Sequence, residues 1–177
     1  MENTATPSVS PSSAGIRYGL IFGVISIIVD FVLKATGLSF KFSVTLSASL
    51  IIWVVGIIVA HRYFKAHNGG FMSYGQGIII AVIMGSIGGL MTGVFNYVYV
   101  NFIDPNYAEA MRADMEAWLI KMNVPEEQMD KSLADITPEK IGSPTSIGSA
   151  ILFGAFVSLL TGLIISAITK RKQPEFE

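Results

Sequence analysis

A chain of 177 residues that is 51% hydrophobic and only 14% charged, with a mean hydropathy of +0.57, is too apolar for an ordinary water-soluble domain. A formal charge of −1 with no concentrated basic patch argues against a nucleic-acid partner. The absence of cysteine excludes disulfides, thiolate metal sites, cysteine nucleophiles and lipidation through cysteine.

The chain opens with Pro7, Pro11 and a scatter of serines and threonines, and has no Lys or Arg before Arg17. Such a stretch cannot bury enough apolar surface to order itself, so residues 1–13 are expected to be a disordered tail. The apolar run that follows is longer than a signal-peptide core and lacks its positively charged flank, so it is expected to be a retained helix.

Four stretches meet the requirement of about 20 apolar residues for crossing a hydrocarbon core of roughly 30 Å. They are residues 15–35, 43–63, 74–103 and 147–169. Lipid offers the backbone no hydrogen-bond partners, and none of the four alternates as a barrel strand does, so each is expected to be a helix. The fold class predicted is an all-α integral membrane protein: a four-transmembrane-helix bundle with an extramembrane helical insertion between helices three and four. The expected divisions are 14–103 for helices one to three, 104–146 for the insertion, 147–170 for helix four and 171–177 for a polar tail. A helix over 74–103 would reach about 45 Å, so it must tilt or protrude. Phe71 and Tyr74 at one end and Tyr97 and Tyr99 at the other sit where an aromatic belt belongs.

The insertion carries nine Asp/Glu against four Lys/Arg. Ala108, Met111, Met115, Trp118, Leu119 and Met122 recur at helical spacing after Pro105, and a second short helix fits Pro125 to Leu133. Thr137-Pro138-Glu139 reads as a further helix start or turn. Met111, Met115, Met122 and Met129 could ligate a soft metal, but their spacing is explained more simply by packing.

Orientation rests on Lys and Arg. Arg17, Arg62, Lys65, Lys170, Arg171 and Lys172 fall on the side of the termini, and Lys34, Lys41, Arg112, Lys121, Lys131 and Lys140 on the other, a tie by number. The cluster at 170–172 abuts a helix end, which favours both termini in the cytoplasm.

The strongest pattern is a ladder of small residues four apart. Segment three has Gly77, Ala81, Gly85, Gly89 and Gly93. Segment four has Ala150, Gly154, Ser158, Gly162 and Ser166, and segment one has Gly15, Gly19 and Gly23. Such ridges let helix backbones approach closely in lipid, either inside one subunit, which is the preferred reading, or between copies in a homo-oligomer.

Few residues suggest chemistry. Asp30 is the one carboxylate in a membrane segment, a functional candidate by default, yet Lys34 one turn later offers a plain ion pair at the membrane boundary. Gln76 and Asn96 complete a possible polar site, and Asn101 and Thr161 suit interhelical hydrogen bonds. His61 and His67 lie beside Arg62 and Lys65 in what reads as a loop, where interfacial anchoring is expected and a metal site would lack ligands. No catalytic constellation and no phosphate-cradling loop stands out, so no enzyme activity, metal or cofactor is predicted.

Gly70-Phe71-Met72-Ser73-Tyr74-Gly75-Gln76-Gly77 leading into the glycine-rich helix, and Ile103-Asp104-Pro105-Asn106-Tyr107 leaving it, resemble a bacterial membrane family called domain of unknown function 4199. The resemblance spans about Ala14 to Lys172. It implies a four-helix inner-membrane protein and supplies no catalytic residues. On physical grounds the same residues read as helix caps, Ser73 for helix three and Asp104 for the helix after Pro105. Two functions follow from the residues: a non-enzymatic scaffold or interaction subunit with a membrane-protein partner, or a small transporter or channel component with a polar path past Asp30. The direction in which Asp30 faces distinguishes them.

Overall fold

The computed structural model describes residues 9–171, and over these the chain is helical with no strand. Residues 1–8 of the expected tail and 172–177 of the polar C-terminal tail lie outside the described residues.

Helix α1 (Pro11–Ala35) begins three residues before the boundary expected at 14. The Ser10 hydroxyl accepts the Ser13 N–H at 3.1 Å and Pro11 occupies the first turn, a start signal that Ser/Pro-rich composition masks. Gly37, at φ 69, ends it in the left-handed conformation that favours glycine. After a single 3₁₀ turn (Leu38–Phe40), α2 (Phe42–Ala66) runs back beyond the expected end at 63. Its charged last turn is helical, and from it Lys65 Nζ reaches the Thr169 carbonyl at 3.0 Å.

Gly69 and Gly70, at φ 63 and 86, turn the chain. Met72 then pairs with Arg171 through two backbone hydrogen bonds of 2.9 Å, tying this loop to the far end of the chain. Helix α3 (Tyr74–Val98) opens on a reciprocal cap: Ser73 Oγ accepts from the Gln76 N–H at 3.2 Å, and Gln76 Oε1 accepts from the Ser73 N–H at 2.7 Å. Replacing Ser73 with alanine is expected to cost about 1 kcal/mol, read as a shift in the thermal midpoint of the detergent-solubilised protein.

α3 continues into a π-helical turn (Tyr99–Ile103), closed by Asp104 N–H on the Tyr99 carbonyl at 2.8 Å. This turn displaces the expected cap. Asp104 is extended at φ −138, α4 (Tyr107–Lys121) starts after Asn106, and no side chain caps it. The shorter α5 (Glu126–Leu133) and α6 (Pro138–Ile141, capped by Thr137) follow. Leu119, Leu133 and Ile136 form a small core, onto which Met111, Met115 and Met129 pack. Trp118 and Met122, expected on that same face, are exposed together with Ile120, and only Leu119 of the last turn of α4 is buried against α5.

Helix α7 (Thr145–Thr169) completes the chain. Four helices are long and apolar enough to cross a membrane: Pro11–Ala35, Phe42–Ala66, Tyr74–Ile103 and Thr145–Thr169. α3 is the hub. It packs most extensively on α7 and next on α1, while α2 lies against α1 with lighter contact to α3 and α7. Large apolar side chains such as Leu152, Phe153, Ile164 and Ile168 point outward, the pattern of helices whose solvent is lipid.

Candidate functional site

The small residues of α3 and α7 meet along both ladders in antiparallel register. Gly77 lies against Ser166, Ala81 against Gly162, Gly85 against Ser158 and Gly154, Gly89 against the Ala150 carbonyl, and Gly93 against Ala150 and Ile147. A Cβ on Gly89 would sit 2.9 Å from Ile151 Cα, so the contact is backbone on backbone. The opposite ridge of α3 receives α1 in parallel, with Gly15 facing Ile83, Gly19 facing Ile87 and Gly23 facing Met91. The four-residue ladders omit Gly88, which seats the Trp53 indole of α2.

A polar site lies at the insertion end of the bundle. Asp30 and Lys34 stand one turn apart at the end of α1, and Lys34 Nζ donates to Asp30 Oδ2 at 2.8 Å and to Asn96 Oδ1 of α3 at 2.9 Å. The rings of Phe95, Tyr99 and Tyr107 surround the same ammonium, with centroids 5.2, 4.8 and 5.1 Å away. The Lys34 side chain is 4% exposed and that of Asp30 30%. Lys34 therefore does not snorkel outward; ion pair, amide and cation–π contacts replace its hydration.

Three segments build this cage. α1 supplies the ion pair, and α3 supplies Asn96 and Phe95. Tyr99, one α-helical turn beyond Phe95 and Asn96, shares their face, so Tyr99, expected in an aromatic belt, is buried instead; the π-helical turn follows it. Tyr107, in the first turn of α4, stacks on Phe40 at 5.4 Å and meets Tyr99 edge-on at 5.5 Å. Burial pushes the Tyr107 phenol above its ordinary pKa, against a smaller opposing effect of the Ser39 hydroxyl, with Asp30 adding to the rise. The cage is thus also the joint between the insertion and the bundle.

Above Asn96 opens a cleft of about 520 Å³ between the insertion and the first turns of α7, lined by Asp135, Glu139, Lys140, Ser143 and Ser146. Its acids are solvated. Asp135 is 82% exposed and paired with Lys140, and the Glu139 carboxyl is held below the usual range by its own backbone N–H and the Thr137 hydroxyl. The Glu139 carboxyl thus lies on the opposite side of its ordinary range from the raised pKa that burial gives a general acid.

Gln76 does not join Asp30, Lys34 and Asn96. It caps α3 at the opposite end, where its amide is consumed by the backbone of Ser73. Thr161 bonds back to the Val157 carbonyl of its own helix at 2.9 Å, whereas Asn101 Nδ2 does reach across to the Gly142 carbonyl at 2.9 Å. His67 caps α2 as a surface residue, but His61 is fully buried and helical, contrary to the loop expected there. Its Nε2 donates to the Gly77 carbonyl at 3.0 Å, and its Nδ1 lies 2.8 Å from Thr169 Oγ1, joining α2, α3 and α7. The signal was present, since Gly56, Ile57, Ala60, His61 and Phe64 share one helical face. Among the described residues, no three His, Asp or Glu side chains converge as a metal site.

No curated protein and no solved structure matches the chain. A family model described as "Protein of unknown function (DUF4199)" matches residues 17–171, from the α1 cation Arg17 to the α7 end that pairs with Met72. The chain therefore belongs to that family, as a membrane-embedded member whose four apolar helices fill most of the matched region.

Proposed function

We propose that the protein is a non-enzymatic scaffold of the bacterial inner membrane, with both termini cytoplasmic and the 104–144 insertion displayed on the other side for a protein partner. The observation that carries this reading is the closure of the bundle. The α3 ridges lie directly against α1 and α7 along the described residues, which argues against a hydrated path between those helices, and Asp30 is neutralised by Lys34, which in turn is held by Asn96. The insertion is fastened to that platform by the Lys34 cage. Its α4 end offers exposed Trp118 and Met122, residue types enriched at protein interfaces, beside exposed Ile120.

The placement of Lys and Arg supports the orientation, because Lys170 and Arg171 directly follow α7 whereas Lys121 and Lys131 lie far from either flanking span. The lack of cysteine makes single introduced thiols unique reporters. Lys131→Cys in intact cells is expected to react with a membrane-impermeant maleimide and Ala66→Cys only after permeabilisation; the reverse pattern would invert the topology. The scaffold reading itself is tested in liposomes, where the purified chain is expected to pass ions no faster than protein-free vesicles. Flux that disappears in Asn96→Leu would replace it with the channel reading.

A further inference from the structure

We infer that the bundle end bearing the described chain termini binds the phosphate of an anionic phospholipid, through Lys170 and Arg171 held on aromatic platforms from the α2–α3 loop. Five described cations gather at this end, Arg17, Arg62, Lys65, Lys170 and Arg171. No carboxylate occurs at residues 9–29, 42–103 or 145–171. The ion pairs among the described residues, Asp30–Lys34, Glu127–Lys131 and Asp135–Lys140, all belong to the opposite end or the insertion.

Two of the five cations are built into a fixed arrangement. The Lys170 ammonium lies over the Tyr74 ring at 5.7 Å, and the Arg171 guanidinium over the Phe71 ring at 5.8 Å. The Tyr74 ring is itself anchored by its hydroxyl, which donates to the Leu163 carbonyl at 3.3 Å. The paired backbone bonds between Met72 and Arg171 hold the cations and the rings in register. A ring face orients a cation without cancelling its charge, so these exposed side chains keep donors and net positive charge for an anion from outside.

Depth decides which anion. α7 ends at Thr169 and α3 begins at Tyr74, so both cations stand where the apolar spans give way to headgroups. On the α1–α2 side, Arg17 is fixed in the same manner, bonded to the Tyr63 hydroxyl at 2.9 Å with its guanidinium 4.7 Å from that ring's centroid. Lys65 is drawn toward the end of α7 by one of its donors, which bonds the Thr169 carbonyl at 3.0 Å. A lipid phosphate is the anion always present at this level, and juxtamembrane cations attract anionic headgroups by about fivefold each.

The test uses the full chain in detergent micelles, with native mass spectrometry counting retained phosphatidylglycerol against phosphatidylcholine of the same acyl chains. Wild type is expected to retain the anionic lipid about tenfold or more in preference. Lys170→Gln with Arg171→Gln should abolish the preference, and Lys121→Gln with Lys131→Gln, an equal charge change on the insertion, should leave it intact. Equal retention of both lipids by wild type, or equal losses in the two double variants, would overturn the proposal. Tyr74→Leu preserves every charge and is expected to weaken retention severalfold; unchanged retention there would overturn the fitted site. Displacement of the lipid by millimolar inorganic phosphate would overturn the lipid as the ligand in favour of a soluble anion.

Discussion

Gly89→Leu is expected to unfold the α3–α7 pair rather than to separate one folded subunit from another. The position faces the Ala150 carbonyl and Ile151 Cα of the same chain, and neither is a flexible side-chain end that could swing away. Overpacking a well-filled interior costs about 1–3 kcal/mol when side chains can adjust, and backbone on both sides raises this toward about 3 kcal/mol or more. The measurement is the denaturation midpoint in mixed detergent, followed by circular dichroism, with mass determined in parallel. Gly148→Ala is the control: nothing lies within 4 Å of an added methyl group there, and alanine should stabilise the helix by up to about 1 kcal/mol. A folded Gly89→Leu monomer with an unchanged midpoint would show that the ridge does not hold the subunit together.

The second large effect is expected at Lys34. Lys34→Met fills much of the same space but leaves Asp30 without its cation and Asn96 without its donor. Removing one partner of a buried ion pair costs about 3–5 kcal/mol, and the partial hydration of Asp30 brings this nearer 2–3 kcal/mol. The insertion should loosen with it, because Tyr107 loses the charge around which the rings assemble. Hydrogen exchange over residues 104–121 is the readout, with faster exchange expected there than in α7. Adding Asp30→Asn should restore much of the loss, since the pair then carries no uncompensated charge. Identical exchange in Lys34→Met and wild type would rule out the cage as the joint.

The four spans were legible because lipid leaves a polypeptide so few options: length and apolarity alone place them to within a few residues. The α3 and α7 ladders were visible for the same reason, as spacing of four on a helix is spacing on one face. Other features required tertiary information. Ser10 and Pro11 start α1 inside a stretch whose composition reads as coil. Trp53 needs Gly88 only because α2 crosses α3 there, and a four-residue repeat does not reveal it. Charged neighbours made His61 resemble a loop residue, although its helical phase pointed inward. The cage was half legible: Asp30, Lys34 and Asn96 stood out as polar groups among apolar ones, but Tyr99 read as a belt residue although it shares the helical face of Phe95 and Asn96, and Tyr107 joins from α4 only through tertiary packing. Gln76 stood out equally and is merely a cap, since polarity in an apolar segment does not say which end of a bundle a residue serves.

The two-sided use of α3 also sets an order of assembly. Its α1-facing ridge meets a partner already synthesised, whereas its other ridge faces α7, which is made only after the entire insertion. At about 5–20 residues per second, that ridge waits on the order of several seconds in the bilayer with backbone exposed to lipid or to whatever occupies it meanwhile. A chain halted within the insertion would keep this face permanently bare, the kind of surface through which transmembrane helices find one another. Such three-span fragments are expected to self-associate in a mild detergent to a greater extent than the full chain, so premature termination would generate a species capable of trapping its own kind.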